Sequence, residues 1–511
     1  MVFSSQVFVF IFLPVVFLLN TAVMAFASEK RPGFVRASNV LLLIASLVFY
    51  AWGEPVTVLL LIGEALFCWL ATLLIEKKPK LKKLWLAAAC VAVLGALAFF
   101  KYSGFAAGII SAIFPGNTQL FAAAYDLKQI ALPLGISFFS FQILSYVIDV
   151  YRGTSQHCAN FFRMLLYVSF FPQLVAGPIV KYREIEEQLG KRSIDAENAA
   201  KGARRFVVGL AKKLIIANTA ALVADGVFGL ETAKISGEAA FLGAVFYVLQ
   251  IYFDFSGYSD MAIGIGAMFG FRFNENFDHP YASLSIKEFW RRWHISLSSW
   301  FRDYLYIPLG GNRKGRARTV LNKFIVFFLT GLWHGANFTF ILWGMWHGFF
   351  LFLEEILKPA GDRAAAKKQE LGKVPKALLS VLATVFRLVY TLAVVTLGFV
   401  MFRSDTVSYG IRYVGRMFSF TGGLTADVLN ALTPFTVFAA VIGVVAALPW
   451  REGAGKLIAS GNGAGKALEK AKNVFGKGQT VVSFVLALLL FAACALTLAS
   501  SAYNPFIYFR F

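Results

Sequence analysis

The chain has 511 residues, of which 58% are hydrophobic and 15% are charged, and its mean hydropathy is +0.66. Because soluble domains carry about 25% charged residues, this composition excludes an ordinary soluble enzyme and indicates a multi-pass membrane protein. The net charge of +21 does not indicate nucleic-acid binding. Lys and Arg instead cluster in short segments between apolar runs, where they mark cytoplasmic loops and contact anionic lipid headgroups.

Apolar runs long enough to form a transmembrane helix, roughly 20 residues, recur along the whole chain. Helical spans are predicted at 5–27, 37–52, 56–75, 84–100, 130–149, 161–180, 240–269, 378–402, 431–450 and 480–499. Shorter or interrupted apolar pieces lie at 104–115, 203–229, 295–309 and 319–357. The expected fold class is therefore an all-α polytopic membrane protein, with the whole chain forming one integral-membrane domain.

The distribution of charge predicts the orientation of these helices. The basic loops predicted to be cytoplasmic are 29–36, 76–83, 181–213, 311–323 and 358–376, and the Gly- and Lys-rich stretch 451–478 is predicted to be a further cytosolic loop. The first apolar run lacks a preceding positive charge and exceeds the roughly 7–15 residues of a signal-peptide core. We expect it to be a retained helix with its N-terminus outside, since Lys30, Arg31 and Arg36 follow it.

The segment 319–357 contains two histidines in an otherwise apolar run, His334 and His347. Basic loops flank it, so it is predicted to enter and leave the membrane on the cytoplasmic face and to line a cavity, as broken helices at membrane depth do. The candidate bends are Gly331, Gly335, Asn337, Gly344 and Gly348. His334 lies 11 residues after Lys323, or about 16 Å along a helix, and His347 is expected at a similar depth before Lys358.

Each of these histidines has two interpretations. An ionisable side chain inside the membrane is a functional hypothesis by default, whereas a neutral imidazole that is hydrogen-bonded between helices has a structural role. The sequence favours the functional interpretation for His334 and the structural one for His347.

The segment 287–313, KEFWRRWHISLSSWFRDYLYIPLGGNR, combines basic and aromatic residues. On a continuous helix, Lys287, Arg291, His294 and Ser298 share one face. Such a helix either lies in the headgroup layer or forms the rim of a cytosolic entrance that binds a phosphorylated ligand through Lys and Arg.

Two carboxylates interrupt the apolar run that precedes this segment. Asp254 and Asp260 lie in YFDFSGYSDMAIGIG, and charges at that depth require partners, which we expect among the Lys and Arg residues of 287–313. The sequence contains no nucleotide-binding glycine motif and no cluster of residues with metal-ligand spacing.

Four strings, MVFSSQVFVFIFLP, YFDFSGYSDMAIG, EFWRRWHISLSSWFRDYLYIPLGGNR and GLWHGANFTFILWGMWHG, resemble the membrane-bound O-acyltransferase (MBOAT) family. More narrowly, they resemble its bacterial branch typified by the alginate O-acetylation membrane protein, with the related peptidoglycan O-acetyltransferase membrane protein. The resemblance covers 1–511 and is densest at 130–350. It implies a ring of tilted and broken helices around a transmembrane funnel or tunnel. The implied catalytic core is about 130–360, between N-terminal helices at 1–129 and C-terminal helices at 376–511.

The resemblance also implies an activity, the transfer of an acetyl group from cytosolic acetyl-coenzyme A (acetyl-CoA). The implied acceptor is a hydroxyl of an extracytoplasmic polysaccharide, such as alginate or a cell-wall glycan, or a periplasmic or secreted partner protein that acetylates it. The implied location is the bacterial inner membrane. The family's essential histidine matches His334, and its second motif position matches His294.

The chemistry of acyl transfer suits these residue types. An imidazole with an ordinary pKa of about 6.5 can act as the general base that removes the hydroxyl proton. His294 or a nearby backbone amide is expected to stabilise the developing oxyanion. The residues expected to bind the phosphates of acetyl-CoA are Lys287, Arg291, Arg292, Arg313 and Lys314. Neither a metal nor a haem is expected.

Two alternatives come from other functional classes. A transporter or flippase for a lipid-linked or polymeric substrate would also use broken helices and intramembrane Asp and His. A b-type cytochrome is suggested by His334 and His347, which are thirteen positions apart, near the spacing of stacked haem ligands. That arrangement requires matching histidines on a partner helix, and only His294 is available.

Overall fold

The computed structural model describes residues 1–28, 31–114, 127, 130–369, 373–419, 422–450 and 479–500. The predicted cytosolic loop 451–478 lies outside the described residues, as do parts of the predicted loops 29–36 and 358–376.

The described part of the chain is helical, and its only β-pairing there is an isolated bridge between Ser28 and Arg31. The helices of the first half are α1 (Leu13–Met24), α2 (Gly33–Ala51), α3 (Thr57–Lys77), α4 (Lys82–Ile113), α5 (Ile136–Arg152), α6 (Phe161–Ser169), α7 (Phe171–Leu174), α8 (Tyr182–Gly190), α9 (Ala196–Phe228) and α10 (Gly237–Met268). The helices of the second half are α11 (Ile286–Arg292), α12 (Ile295–Phe301), α13 (Arg316–His334), α14 (Phe338–Gln369), α15 (Lys373–Arg403), α16 (Val407–Met417), α17 (Ala426–Ala431), α18 (Pro434–Ala446) and α19 (Gln479–Ser500).

Among the described residues, eight helices are long and apolar enough to cross a membrane. They are Gly33–Ala51, Thr57–Lys77, Pro79–Ile113, Ala196–Phe228, Gly237–Met268, Phe338–Leu357, Ala377–Arg403 and Val481–Ser500. The prediction of an all-α, multi-pass membrane protein is therefore confirmed.

Two predicted interruptions are absent from the structure. The separate pieces 84–100 and 104–115 belong to one helix, α4. The polar side chains of Lys101 and Tyr102 do not interrupt it, because they donate hydrogen bonds to backbone carbonyls of α13. The interrupted piece 203–229 belongs to the continuous helix α9, which contains a π-helical turn at Lys212–Ala217. Conversely, the predicted span 161–180 is too long, since its helix ends at Ser169.

The centre of the protein is the packing of α9 against α10. Gly209 and Gly257 bring the two backbones together, because a Cβ on Gly209 would lie 2.6 Å from the carbonyl oxygen of Gly257. Most of α10 is buried, and it therefore carries its two carboxylates into the interior of the protein, where each needs a cationic partner.

Those partners differ from the predicted ones. Asp254 pairs with the buried Lys213 at 2.5 Å, and Asp260 pairs with Arg205 at 2.7 Å and Lys212 at 2.6 Å. All three cations lie on α9 and none on the 287–313 segment, so that prediction was wrong. The helical period places the basic run of α9 on the face that contacts α10, and an ion pair at this depth holds the two helices in one register.

Candidate active site

The two predicted functional histidines lie on neighbouring hairpins. The His334 hairpin consists of α13 and α14, which pack side by side in opposite directions and are joined by residues 335–337. Asn337 stabilises the turn, because its side chain donates a hydrogen bond of 2.8 Å to the Asp405 carbonyl, just beyond α15, and accepts one from the Thr339 amide at 3.1 Å. The predicted bends at Gly335 and Asn337 are confirmed.

The other glycines of this hairpin have a different role. A Cβ on Gly331 would collide with the carbonyl oxygen of Phe340, and a Cβ on Gly344 would collide with that of Phe327. These positions lie within the helices, so they are not bends. They let the backbones of α13 and α14 approach closely, as small residues do in membrane helix pairs.

The two histidines of the hairpin lie at different depths. His334 is the last residue of α13, whereas His347 is level with Phe324 and Phe327, whose side chains lie within 3.5 Å of a Cβ built on Gly348. Phe324 and Phe327 precede His334 by ten and seven residues on α13. At a rise of about 1.5 Å per residue, the Cα atoms of His334 and His347 therefore differ in depth by about 12 Å. The prediction of similar depth was wrong because the turn at 335–337 directly follows His334 but lies ten residues before His347.

The surroundings of His347 are aromatic. Its ring is fully buried, stacks on Phe289 at 6.3 Å between centroids and meets the edges of Trp290 at 5.1 Å and Trp343 at 5.2 Å. Neither ring nitrogen has a hydrogen-bond partner among the described residues. The predicted interhelical hydrogen bond is thus absent from the described residues, and three aromatic rings pack against this imidazole instead.

The His294 hairpin is built from α11 and α12, and here the predicted continuous helix is wrong. The helix stops at Arg292, Trp293 is extended, and His294 adopts a left-handed conformation with φ of 44° before α12 begins. Lys287 and Arg302, at the two ends, are exposed, whereas His294 is fully buried. The segment therefore enters the protein, turns at His294 and returns to the surface.

A polar network holds His294 in this turn. The Asn276 side-chain oxygen accepts hydrogen bonds from the Ser296 amide at 3.1 Å and the Ser296 hydroxyl at 2.9 Å, and it lies 3.2 Å from His294 Nδ1. Its amide nitrogen donates to the Ser259 hydroxyl at 3.0 Å. The backbone amide of Ser296 can only donate, which identifies the Asn276 atom facing it as the oxygen.

This network determines the tautomer of His294. Because the carboxamide oxygen of Asn276 can only accept, Nδ1 of His294 carries the proton, and in the neutral ring Nε2 is then an acceptor. Nε2 has no hydrogen-bond partner among the described residues. The neutral side chain can therefore accept a proton or a hydrogen bond through Nε2, but it cannot donate one.

The two hairpins meet at the indole of Trp333. The ring centroid of Trp333 lies 5.9 Å from that of His294 and 5.0 Å from that of His334, so the two imidazoles lie within about 11 Å of each other. Trp343 and Phe402 pack edge-on against His334 at 5.0 and 5.2 Å. The structure thus brings together the two histidines that the sequence singled out.

A partly open cavity of about 140 Å³ adjoins the end of α13. It is lined by Lys101, Leu132, Pro133, Leu134, Gly135, Ile136, Ser137, Phe138, Val175, Trp333 and His334. Sequence reasoning missed Lys101, although a lysine inside the apolar run AFFKYSGF is the kind of intramembrane charge that indicates a function. It was missed because a helix break was predicted there.

The predicted phosphate-binding residues divide into two groups. Lys287, Arg291, Arg313 and Lys314 are exposed. Arg292 instead makes ion pairs with Glu288 at 3.1 Å and Asp278 at 3.5 Å. We refer to the four exposed cations as the basic rim.

Glu354 and Glu355 of α14 connect the beginning of the His294 hairpin to the beginning of α13. Glu354 accepts hydrogen bonds from the backbone amides of Ile286 and Lys287 at 2.6 and 3.1 Å. Glu355 forms an ion pair with Lys323 at 2.6 Å, and Lys287 and Arg316 are near enough to interact with it electrostatically. Lys287 and the start of α13 therefore belong to one surface.

The returning end of the His294 hairpin is attached by a second charged cluster that the sequence did not reveal. Asp303 accepts hydrogen bonds from the buried Lys181 at 2.8 Å and from Arg183 at 2.9 Å. Partial burial raises the pKa of Asp303, but hydrogen bonds from Arg302 and Lys181 outweigh it and lower that pKa below the ordinary value. The cluster therefore stays ionised and anchors the end of α12 beside the start of α8.

Comparison with known proteins adds to this geometry. The family model of the membrane-bound O-acyltransferases matches residues 126–393. A probable alginate O-acetylase of Pseudomonas putida is 39% identical over the full length of both chains. A peptidoglycan O-acetyltransferase of Helicobacter pylori is 37% identical over 69% of this chain and 70% of its own. A teichoic acid D-alanyltransferase of Bacillus subtilis is 30% identical over 40% of this chain and 53% of its own.

Proposed function

Because the chain belongs to the membrane-bound O-acyltransferase family, we propose that it transfers an acetyl group from cytosolic acetyl-CoA to a hydroxyl of an extracytoplasmic polysaccharide, directly or through a partner protein. Membership of this family favours an acyltransferase and argues against the transporter and cytochrome alternatives. The proposed acceptor class follows the relatives named for alginate and for peptidoglycan, both of which are polysaccharides.

The observation that carries the proposal is the position of His334. It ends α13 at the turn of a hairpin, lines the cavity and is 5% exposed. As a general base, it would take the proton of the acceptor hydroxyl while that oxygen attacks the acyl carbonyl carbon. When the carbon–sulfur bond breaks, the imidazolium would return the proton to the departing thiolate, so the reaction needs no net proton.

His294 is proposed to orient the substrates. Its Nε2 atom is an acceptor in the neutral ring, so this residue is suited to hold an O–H or N–H group of a substrate near Trp333. Donation to the oxyanion, one of the roles that the sequence left open for His294, does not fit this tautomer.

The donor is proposed to enter from the basic rim. Phosphates of acetyl-CoA would bind the exposed Lys and Arg side chains and remain in water, while the thioester reaches inward. His334 lies 11 residues, or about 16 Å, from Lys323 along α13, and an extended pantetheine arm can cover that distance. We therefore retain Lys287, Arg291, Arg313 and Lys314 as donor-binding residues and remove Arg292 from this set.

The proposed location is the bacterial inner membrane with the N-terminus outside. The amino group of Met1 lies 3.3 Å from the Phe49 carbonyl, near the end of α2, whereas the basic residue Arg36 lies near the start of that helix. If positive loops are cytoplasmic, Met1 lies on the opposite side.

A membrane assay tests this function directly. Membranes from cells with and without the protein would receive acetyl-CoA labelled in the acetyl group, and alkali-labile label would be measured in the purified polysaccharide fraction. We expect ester-bound label only when the protein is present, and mass spectrometry of the labelled glycan identifies the acceptor sugar. Equal labelling in both membranes would overturn the proposal.

A further inference from the structure

Lys101 connects α4 to the end of the helix that carries His334. Its Nζ atom donates hydrogen bonds to the Trp333 carbonyl and, at 3.2 Å, to the Ser137 hydroxyl. The neighbouring Tyr102 hydroxyl donates to the Leu332 carbonyl at 2.6 Å. Carbonyls in the last turn of a helix have no partner within the helix, so both residues stabilise the end of α13.

Only one of these two residues also lines the cavity. Lys101 lines it together with His334, whereas Tyr102 is not among its lining residues. An ammonium group has three N–H donors, and the described residues provide two acceptors for Lys101, Trp333 and Ser137. When the side chain is protonated, one N–H of Lys101 therefore remains for a group in the cavity.

The cavity wall around Lys101 favours negative charge. Helix α5 begins at Ile136, and residues 136–138 of its first turn line the cavity. The N-terminus of a helix carries a partial positive charge, which adds to that of the lysine. No carboxylate occurs among the described residues that line the cavity itself, and Glu54, which contacts its wall, is bound to the backbone amide of Leu134 at 3.3 Å.

Acyl transfer needs a donor that stabilises the oxyanion as well as a general base, and this environment can supply that donor. When a hydroxyl attacks a thioester, negative charge develops on the acyl carbonyl oxygen, and a fixed hydrogen-bond donor stabilises it. The neutral His294 cannot donate through Nε2, because its only proton lies on Nδ1. Lys101 is a side-chain donor in the same cavity as His334.

We propose that Lys101 is a further catalytic residue, which donates a hydrogen bond to the acyl carbonyl oxygen as His334 activates the acceptor hydroxyl. The inference rests on the proposed acyl transfer. As the new carbon–oxygen bond forms, the carbonyl electron pair moves to the oxygen that faces Lys101. It returns when the carbon–sulfur bond breaks, and the thiolate leaves with the proton held by His334.

The test compares Lys101→Met with Tyr102→Phe. Both variants remove one support of α13, but only Lys101→Met removes a donor from the cavity. Inverted membrane vesicles, whose cytosolic face is outward, would be given acetyl-CoA at several concentrations, and ester formation would be followed. We expect kcat to fall about 100-fold or more in Lys101→Met, as for loss of an oxyanion donor, with little change in KM for acetyl-CoA. Tyr102→Phe should keep kcat within about threefold of the wild type, because oxyanion stabilisation remains.

Two further variants protect the test against misfolding. The Lys101→Gln variant retains an N–H donor without the charge, so its kcat should lie between those of Lys101→Met and the wild type. The Lys101→Arg variant should have a higher kcat than Lys101→Gln. A kcat for Lys101→Met equal to that of Tyr102→Phe, or a raised KM with unchanged kcat, would overturn the proposal. If the Lys101→Met variant does not insert into the membrane, a kcat of the Lys101→Gln variant equal to that of the wild type would overturn the proposal. Failure of the proposed acyl transfer is a distinct outcome, because the wild-type protein itself would then be inactive.

Discussion

The two hairpins that carry His294 and His334 reach the same indole by different physical means. The His294 hairpin turns through a left-handed residue held by Asn276 and Ser296, and its helices have seven residues each. The His334 hairpin turns at Gly335–Asn337 between long helices that pack through glycines. A polar network thus fixes one histidine, and close backbone packing fixes the other.

This difference suggests a division of roles. His294 has its tautomer fixed by Asn276, and this leaves its Nε2 atom as an acceptor for a substrate group. His334 is packed by Trp343 and Phe402 but also lines the cavity, which suits a residue that exchanges a proton with a substrate. The following variants separate these roles.

His334→Ala should have the largest effect on the reaction. Loss of a general base lowers a rate by about 100- to 10,000-fold, and we expect kcat for ester formation in inverted vesicles to fall within that range. The matched control is His347→Phe on the same hairpin, which replaces one ring by another in an aromatic environment. It should remain near the wild-type rate, and an equal loss in both variants would contradict a specific role for His334.

Asn276→Ala should reduce activity by releasing the turn at His294. The Ser296 amide and His294 would lose their acceptor, and a buried unsatisfied group costs about 1–3 kcal/mol. We expect kcat to fall about tenfold, equivalent to about 1.4 kcal/mol, measured in the same vesicles. Ser259→Ala is the control, because it removes only the partner of the Asn276 amide nitrogen. Activity unaffected by Asn276→Ala would show that the network does not position His294.

Gly344→Ala tests the packing of the other hairpin. Its new methyl group would collide with the Phe327 carbonyl, and overpacking of this kind costs about 1–3 kcal/mol. We expect a lower apparent Tm in detergent. In the matched variant Gly348→Ala, the nearest atom lies at 3.3 Å on the Phe324 side chain, so the loss should be smaller. Identical Tm values for the two variants would mean that close backbone approach is not what holds this hairpin.

The double variant Lys287→Gln with Arg291→Gln should have the smallest effect. Exposed ion pairs typically contribute about 0.5 kcal/mol each, so the loss of two should raise KM for acetyl-CoA about fivefold and make it depend less on salt. Arg292→Gln is the comparison, because Arg292 is already paired with Glu288 and Asp278, and its KM should change less. A larger KM change in Arg292→Gln would restore that residue to the donor site.

Much of the His334 hairpin could be predicted from the sequence, and much of the His294 hairpin could not. The absence of charge between Lys323 and Glu354 and the Gly335–Asn337 break are local signals. The pattern of 287–301 suits one amphipathic helix, and the residue that fixes its turn, Asn276, lies 18 positions before His294. Such a contact has no signature in local periodicity.

The other differences between the predicted and the observed structure also depend on residues that are far apart in the chain. The partners of Asp254 and Asp260 depend on which helix packs against α10, and this follows from the close approach of Gly209 and Gly257. The role of Lys101 depends on a carbonyl 232 positions later. Long-range contacts of this kind decide the site, whereas the all-α membrane fold follows from composition and apolar runs alone.

The sidedness of acetyl transfer tests whether the donor reaches His334 from the cytosol. Inverted and right-side-out membrane vesicles would each be given acetyl-labelled acetyl-CoA from outside, with His334→Ala as the control in both. We expect ester-bound label on polysaccharide only in inverted wild-type vesicles, because the donor is proposed to reach His334 from the cytosolic basic rim. Ester formation in intact right-side-out vesicles, or undiminished transfer by His334→Ala, would contradict it.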